Sequence, residues 1–443
     1  MRLKTYPKMK DSGIEWIGEI PEHWKIAKIK FACEINPPKN EVSNLPKDLE
    51  VSFLPMEKIG EDGKLKLEEK RKLNEVVNGF TYFRNGDVIV AKITPCFENG
   101  KGSLCEGLEN GIGFGTTELH VLRSKKEFEP IFTYWWIRSN QFLQNGEASM
   151  YGAAGQKRIS IEFIKNFEIS YPESILEQTE IGIFLKKHIE KTDEEIRKNK
   201  KTMYLLKEKR QSLINLTVTK GLDSSVPIKD SGVRWIGEIP EHWKIFQIGK
   251  TSKIIDTPHY TSEKHDGLYP IITTRSCKID GRIDYSKAKN TSEKEYEKRR
   301  RYIDPDIGDL LYTREAPLGI AVIVDKKEIL IGQRIILIKL NKKIITAEFL
   351  SYFLNSFSGF NQASSQGIGT TVGRVNIDDI KKFYFPVPNI EEQNQISKFL
   401  KNETLKINSL ISKTKLQIKK LKELHQTIIS QVVTGKVDVT SLA

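Results

Sequence analysis

A seventeen-residue phrase occurs twice in this 443-residue chain, as KDSGIEWIGEIPEHWKI from Lys10 to Ile26 and as KDSGVRWIGEIPEHWKI from Lys229 to Ile245. Fifteen of the seventeen positions are identical across a separation of 219 residues, a match that chance does not produce at this length. A period that long belongs to a whole domain and not to a solenoid repeat. The chain is a tandem duplication, and whatever it does requires two copies of one module.

The far half of each copy carries its own echo. Ser174-x-x-Glu177 and Asn389-x-x-Glu392 stand 215 residues apart, each behind a proline (Pro172, Pro388). Both have the spacing of a capping box, in which the first side chain caps free N–H groups and the Glu reaches back. Behind them run the two longest stretches without Gly or Pro, Ile183 to Lys220 and Asn389 to Thr434, closed by Gly221 and Gly435. Each predicts a helix of about forty residues, roughly 60 Å long, too long to lie inside a compact domain.

The apolar positions explain that length. In the first helix the seam falls at Ile181, Leu185, His188, Thr192, Ile196, Asn199, Met203, Leu206, Arg210, Leu213 and Thr217. In the second it falls at Ile396, Leu400, Glu403, Ile407, Ile411, Thr414, Ile418, Leu421, His425, Ile428 and Val432. Every pair is offset by 215, and both seams step by threes and fours with one doubled four at the same place. Helices with matched seams are natural partners; the competing reading is two separate solvent-facing helices.

Between phrase and helix, residues 27–150 and 246–365 read as mixed α/β with short strands (Val88 to Ile93, Leu310 to Thr313, Ile335 to Leu340) and many Gly/Asn/Asp turns. These middles share only a faint frame, Gly86-Asp87-Val88-Ile89 answering Gly308-Asp309-Leu310-Leu311. A shared beginning, a shared helical end and a divergent middle imply one scaffold presenting two different surfaces. The formal net charge of +13, from 71 basic and 58 acidic residues, favours a polyanion partner. Nucleic acid rewards two linked modules, because the second contact becomes intramolecular. No apolar run is long enough to span a bilayer and the N-terminus has no apolar signal region, so a cytoplasmic protein away from membranes is expected.

Catalytic chemistry is not legible. Asn36-Pro37-Pro38-Lys39 lacks the aromatic that would stack a flipped base and reads as a loop. Pro305-Asp306 with Asp325-x-Lys327 fits a metal-dependent nuclease only loosely and has no counterpart in the first copy. The glycine runs Gly111 to Gly115 and Gly367 to Gly373 match no phosphate-binding loop and read as turns. Cys33, Cys96, Cys105 and Cys277 have no metal-site spacing and read as four reduced thiols, and no metal ligand set is expected.

The layout resembles the specificity subunits of type I restriction–modification enzymes over nearly the whole chain. Trp16 to Trp24 and Trp235 to Trp243 look like the opening of each half in that family. Gly155-Gln-Lys-Arg-Ile-Ser160 and Gly369-Thr-Thr-Val-Gly373 look like its glycine turn, with Glu177-Gln178 and Glu392-Gln393 as its acidic-Gln helix starts. Asp87 to Lys101 resembles one class of target recognition domain, and Thr313 to Gly319 with Gly332-Gln333-Arg334 another.

The resemblance implies an α+β fold with a pseudo-two-fold internal repeat. Two α/β target recognition domains would be separated by two long helices forming an antiparallel coiled coil. The expected boundaries are 1–173, 174–221 (central helix), 222–388 and 389–443 (C-terminal helix and tail). Such a spacer would let each domain read one short half-site of double-stranded DNA, about one helical turn (roughly 34 Å) apart. Because the middles differ, the target would be asymmetric and bipartite.

The family also implies two methyltransferase subunits and restriction subunits as partners. S-adenosylmethionine, ATP and Mg²⁺ would then be bound on those partners, leaving this chain non-catalytic and without a cofactor. A stand-alone bipartite DNA-binding regulator is the alternative, and a coiled-coil adaptor for proteins alone a third. Base readout calls for Arg, Lys, Asn and Gln at strand ends and loops. The candidates are Lys92, Thr94, Asn99 and Lys101 in the first domain and Thr274, Arg275, Arg314, Gln333 and Arg334 in the second. Arg299, Arg300 and Arg301 form a basic run that faces either phosphate or solvent.

Overall fold

The computed structural model describes residues 4–152, 156–257, 267–366 and 373–440. Gly155 and residues 367–372, from the two glycine-turn segments, lie outside the described residues. The long helices are present as Ile175–Lys220, 46 residues, and Ile390–Val433, 44 residues. At 1.5 Å per residue they are about 69 and 66 Å long. The first starts earlier than its Gly-free stretch because Gly182 lies inside it. A Cβ there would come within 2.3 Å of Ile131, so the close approach of Ile131 keeps a glycine mid-helix. The second helix closes on Gly435 at φ +69, where Lys436 N–H donates back to the Gln431 carbonyl at 2.8 Å.

The capping boxes form by half. Glu177 N–H donates to Ser174 Oγ (3.3 Å) and Glu392 N–H to Asn389 Oδ1 (2.9 Å). The glutamates do not reach back to the caps. Glu177 Oε1 accepts from Trp24 Nε1 at 2.9 Å, and Glu392 Oε1 from Trp243 Nε1 at 3.0 Å. His23 and His242 each set Nε2 3.0 Å from the second carboxylate oxygen. A buried indole N–H needs an acceptor, and that need outweighs a cap that water can satisfy. The following glutamine is fully buried in both copies. Gln178 donates to the carbonyls of Pro172 and Glu127 and accepts from Glu129 N–H. Gln393 donates to the carbonyls of Pro388 and Ile344 and accepts from Thr346 N–H. The duplicated phrase and the duplicated Glu-Gln are thus one device that docks the phrase onto the first turn of a long helix.

The chain divides into two compact units, Met1–Lys200 with Lys415–Ala443, and Lys201–Thr414. The expected boundaries fall at the helix ends, whereas the units divide within the helices, because each core takes a part of both. In the first unit Trp24, Phe132 and Trp136 pack with Ile181, Leu185 and Ile189 of one helix and Ile428, Val432 and Val433 of the other. In the second, Trp243, Phe349 and Phe385 pack with Ile214 and Val218, and with Ile396 and Leu400.

Within each unit the helix segments run antiparallel. His425 Nδ1 stands 3.8 Å from Asp193 Oδ1 in the first unit, and Arg210 Nη1 donates to Asn408 Oδ1 at 2.7 Å in the second. An offset of 215 carries Asp193 to Asn408 and Arg210 to His425, so one cross-helix contact is made once in each unit. Every seam position is buried or half-buried.

The middles repeat far more than their sequences show. The first unit has an antiparallel sheet ordered Cys33–Ile35, Leu119–Ser124, Asp87–Ala91, Gly102–Leu104. The second has Ser252–Asp256, Ile335–Leu340, Leu310–Thr313, Ala321–Ile323 in the same order. Each unit adds a sheet with one parallel pair, Glu50–Leu54 beside Ile112–Gly115 and Tyr269–Ile272 beside Leu330–Ile331. The glycine run at 111–115 is therefore largely strand and not turn. A Cβ on Gly113 would meet the Phe83 ring at 2.2 Å, so the glycine makes room for that ring.

The Gly-Asp turns are equivalent, and their aspartates are buried. Asp87 holds Arg123 through two contacts of 2.8 Å, and Asp309 lies 3.6 Å from Lys339 at the matching register. The correspondence escapes a fixed-offset comparison because short insertions move the offset from 222 at these aspartates to 216 at Arg123 and Lys339.

Candidate nucleic-acid interface

In each unit the parallel strand pair and the central antiparallel strand end at one edge. Lys92 N–H donates to the Glu118 carbonyl (3.0 Å) and the Lys92 carbonyl accepts from Ile159 N–H (2.9 Å). Arg314 N–H donates to the Arg334 carbonyl (2.8 Å) and its carbonyl accepts from Val375 N–H (3.2 Å). Where the parallel strands end, Thr116 N–H meets the Leu54 carbonyl (3.3 Å) and Gly332 N–H meets the Ile272 carbonyl (2.8 Å). This hydrogen-bond frame equates Lys92 with Arg314, Glu118 with Arg334, Thr117 with Gln333 and Arg158 with Arg374. The short helical turns Met56–Lys58 and Thr274–Ser276 match as well, placing Glu57 opposite Arg275.

Lys92, Thr94, Thr274, Arg275, Gln333 and Arg334 come together in this way, each in its own unit. Lys92 is half-buried with no side-chain partner among the described residues, and Thr94 Oγ1 accepts from Lys157 N–H at 3.1 Å. Lys101 donates to the Met56 carbonyl (3.0 Å) and Asn99 to Glu61 (2.9 Å), so internal partners hold both. Arg275 is exposed, with no partner among the described residues.

Two expectations are corrected. Arg314 is only 4% exposed and pairs with Asp256 at 3.3 Å, because its side chain turns inward while its backbone lies on the edge. Arg299, 5% exposed, pairs with Glu295 at 2.9 Å across one helical turn, so the 299–301 run does not present three guanidinium groups. Arg300 is engaged by Glu297 (3.3 Å), and Arg301 remains exposed.

The sequence reading missed Arg158 and Arg374 as candidates. Arg158 makes a bidentate pair with Glu118 (2.9 and 3.0 Å), and this hydrogen bonding holds the Glu118 carboxyl below its ordinary value. Arg374 is exposed without a partner among the described residues. The signal was there: Arg158-Ile-Ser-Ile161 and Arg374-Val-Asn-Ile377 are the same pattern. Glu315 was missed too; it pairs with Arg334 Nε at 2.9 Å.

The loosely nuclease-like acids are used otherwise. Asp306 is held by Lys339 (2.9 Å) and Asp325 accepts from the Tyr285 hydroxyl. Asn36 carries φ +52 and its Oδ1 accepts from Val121 N–H, a loop role. Among the described residues no group of three or more His, Cys, Asp or Glu could hold a metal ion, all four cysteines are free, and no helix is long and apolar enough to cross a membrane.

An edge of strand ends and loops built twice on one hydrogen-bond frame, with Arg275, Arg334 and Arg374 in one unit and Glu57, Glu118 and Arg158 in the other, defines a class of paired domains with different surfaces. The chain belongs to the family described as type I restriction modification DNA specificity domain, whose profile matches it twice, at residues 21–202 and 240–420. It is 33% identical over 269 residues to the type I restriction enzyme EcoEI specificity subunit of Escherichia coli, covering 60% of this chain and 41% of that protein. It is 44% identical over 160 residues to the EcoAI specificity subunit of the same species, covering 35% of this chain and 26% of that protein. The chain thus spans less than half the length of these two relatives. A solved structure concerned with complex assembly and conformational transition of a type I R-M system shares the fold, with TM-score 0.73 at 17% identity over 94% of this chain and 99% of that one.

Proposed function

We propose that this chain is the DNA sequence-recognition subunit of a type I restriction–modification complex, reading an asymmetric bipartite site with one half-site per unit. The observation that carries this reading is the edge built twice on the same hydrogen-bond frame with different side chains. Equal scaffolds place two readers in equivalent stances; unequal side chains make the half-sites differ. Phosphate contacts come from exposed cations such as Arg374 and Arg301, and base contacts from Thr274, Arg275, Gln333 and Arg334 in one unit and from the edge around Lys92 and Thr94 in the other.

The chain also scaffolds two methyltransferase subunits, which bring S-adenosylmethionine and the adenine chemistry, and restriction subunits, which bring ATP, Mg²⁺ and cleavage, in the cytoplasm. The apolar residues that the long helices leave exposed, among them Ile183, Leu205, Leu216, Leu405 and Leu416, suit protein partners. The test is to produce the chain with a type I methyltransferase subunit from the same genome and map methylated adenines in host DNA. A single motif of two different half-sites joined by a fixed non-specific spacer is expected. A palindromic motif, or methylation indifferent to this chain, removes the proposal.

A further inference from the structure

We infer that the unit Lys201–Thr414 reads guanine through Arg334, supported by Arg275, and that the other unit inverts this preference with acids at the same two places. The inference rests on the DNA-reading function proposed above and deepens it to a base. The carbonyl of residue 334 accepts from Arg314 N–H as the carbonyl of residue 118 accepts from Lys92 N–H, so Arg334 and Glu118 occupy one backbone position. Arg275 and Glu57 likewise hold the middle of equivalent short helical turns, and both are exposed. At these two equivalent positions one unit carries arginines and the other glutamates, with both oxygens of Glu118 already accepting from Arg158.

Arg334 has the geometry for the task. Its φ is +69, a left-handed backbone that non-glycine residues adopt only where the surroundings impose it. Glu315 contacts it through Nε at 2.9 Å while the side chain stays 56% exposed. An Nε contact orients the guanidinium plane and leaves the two Nη groups as the prongs of a fork. A guanidinium fork matches the O6 and N7 acceptors of guanine in the major groove; a carboxylate accepts from the amino group of cytosine. In the first unit Glu118 already holds Arg158, so there the acid also positions a cation.

The experiment uses the full chain with its methyltransferase partners and a randomised duplex library, sequencing the bound fraction for the wild type, Arg334→Gln and Arg334→Lys. The wild type is expected to enrich guanine at one or more positions of one half-site. Arg334→Gln should lose that preference at one position by roughly ten- to a hundredfold, leaving the other half-site unchanged. Arg334→Lys should retain part of it, since lysine also donates to guanine but singly. Uniform weakening in Arg334→Gln that lysine restores, with preferences intact, makes Arg334 a phosphate contact and overturns the inference alone. Loss of guanine from both half-sites overturns it as well. A wild type that selects no sequence removes the DNA-reading function and this inference with it.

Discussion

His120 lies beneath the edge of the first unit, its Nδ1 3.2 Å from Asn36 Nδ2, with Lys92 and Glu118 close enough to act on its charge. Burial first, then the charge of Lys92, pushes the imidazole from 6.5 down to about 4. The unfolded chain therefore takes up this proton near 6.5 while the fold refuses it until about 4. Across that window the unfolded state binds more protons, so stability falls as pH drops, by about 3 kcal/mol in all. Urea unfolding of the wild type and His120→Gln at pH 7 and pH 5 checks this: the substitution should flatten the difference, and equal pH slopes would refute the assignment.

A second prediction at this scale concerns Asp87, 1% exposed and held by two contacts from Arg123 and by Arg84 N–H. Arg123→Ala strands a buried carboxylate and should cost about 3–5 kcal/mol. Replacing both residues with an apolar pair should cost clearly less, which a denaturation series on the two variants would show.

The long helices derive their beginnings from the phrase that precedes each middle. Gln178 and Gln393, both without exposure, each satisfy three backbone groups, one of them in a fully buried hydrogen bond. Gln178→Ala should cost about 2–4 kcal/mol. Hydrogen exchange should show the loss concentrated in the unit that contains the altered residue, and Gln393→Ala should move it to the other unit. Uniform deprotection of both units by either variant would mean that the glutamines do not act locally. The helices themselves were legible in the sequence because a heptad-like seam repeats over eleven positions at one offset. Their caps were misjudged, since the Glu that fits a capping box by spacing is claimed by an indole some 150 residues earlier in the chain.

For the whole molecule, the cations that repeat should act differently from the side chains that do not. Arg374, exposed and without a partner among the described residues, is expected to contact phosphate. Arg374→Ala should weaken binding to specific and random duplex alike and lower the slope of log K against log salt by about 1. Fluorescence anisotropy across a salt series measures both; altered sequence preference at unchanged slope would make Arg374 a base reader. Much of the candidate interface stayed hidden in the sequence for a simple reason. Buried strands exchange Val, Ile and Leu freely, and insertions shift the offset, so the equivalence of Glu118 and Arg334 exists only as a shared hydrogen-bond frame.

The sequence alone determined the duplication, the two long helices and their matched seams, because identity and periodicity are local and survive without coordinates. Only the tertiary structure decided that each core draws on both helices, that the divergent middles are one fold, and that Arg314 and Arg299 turn inward while Arg334 and Arg374 face out. Charge can be counted from composition, but exposure depends on which partner reaches a guanidinium first, and those partners arrive from distant parts of the chain.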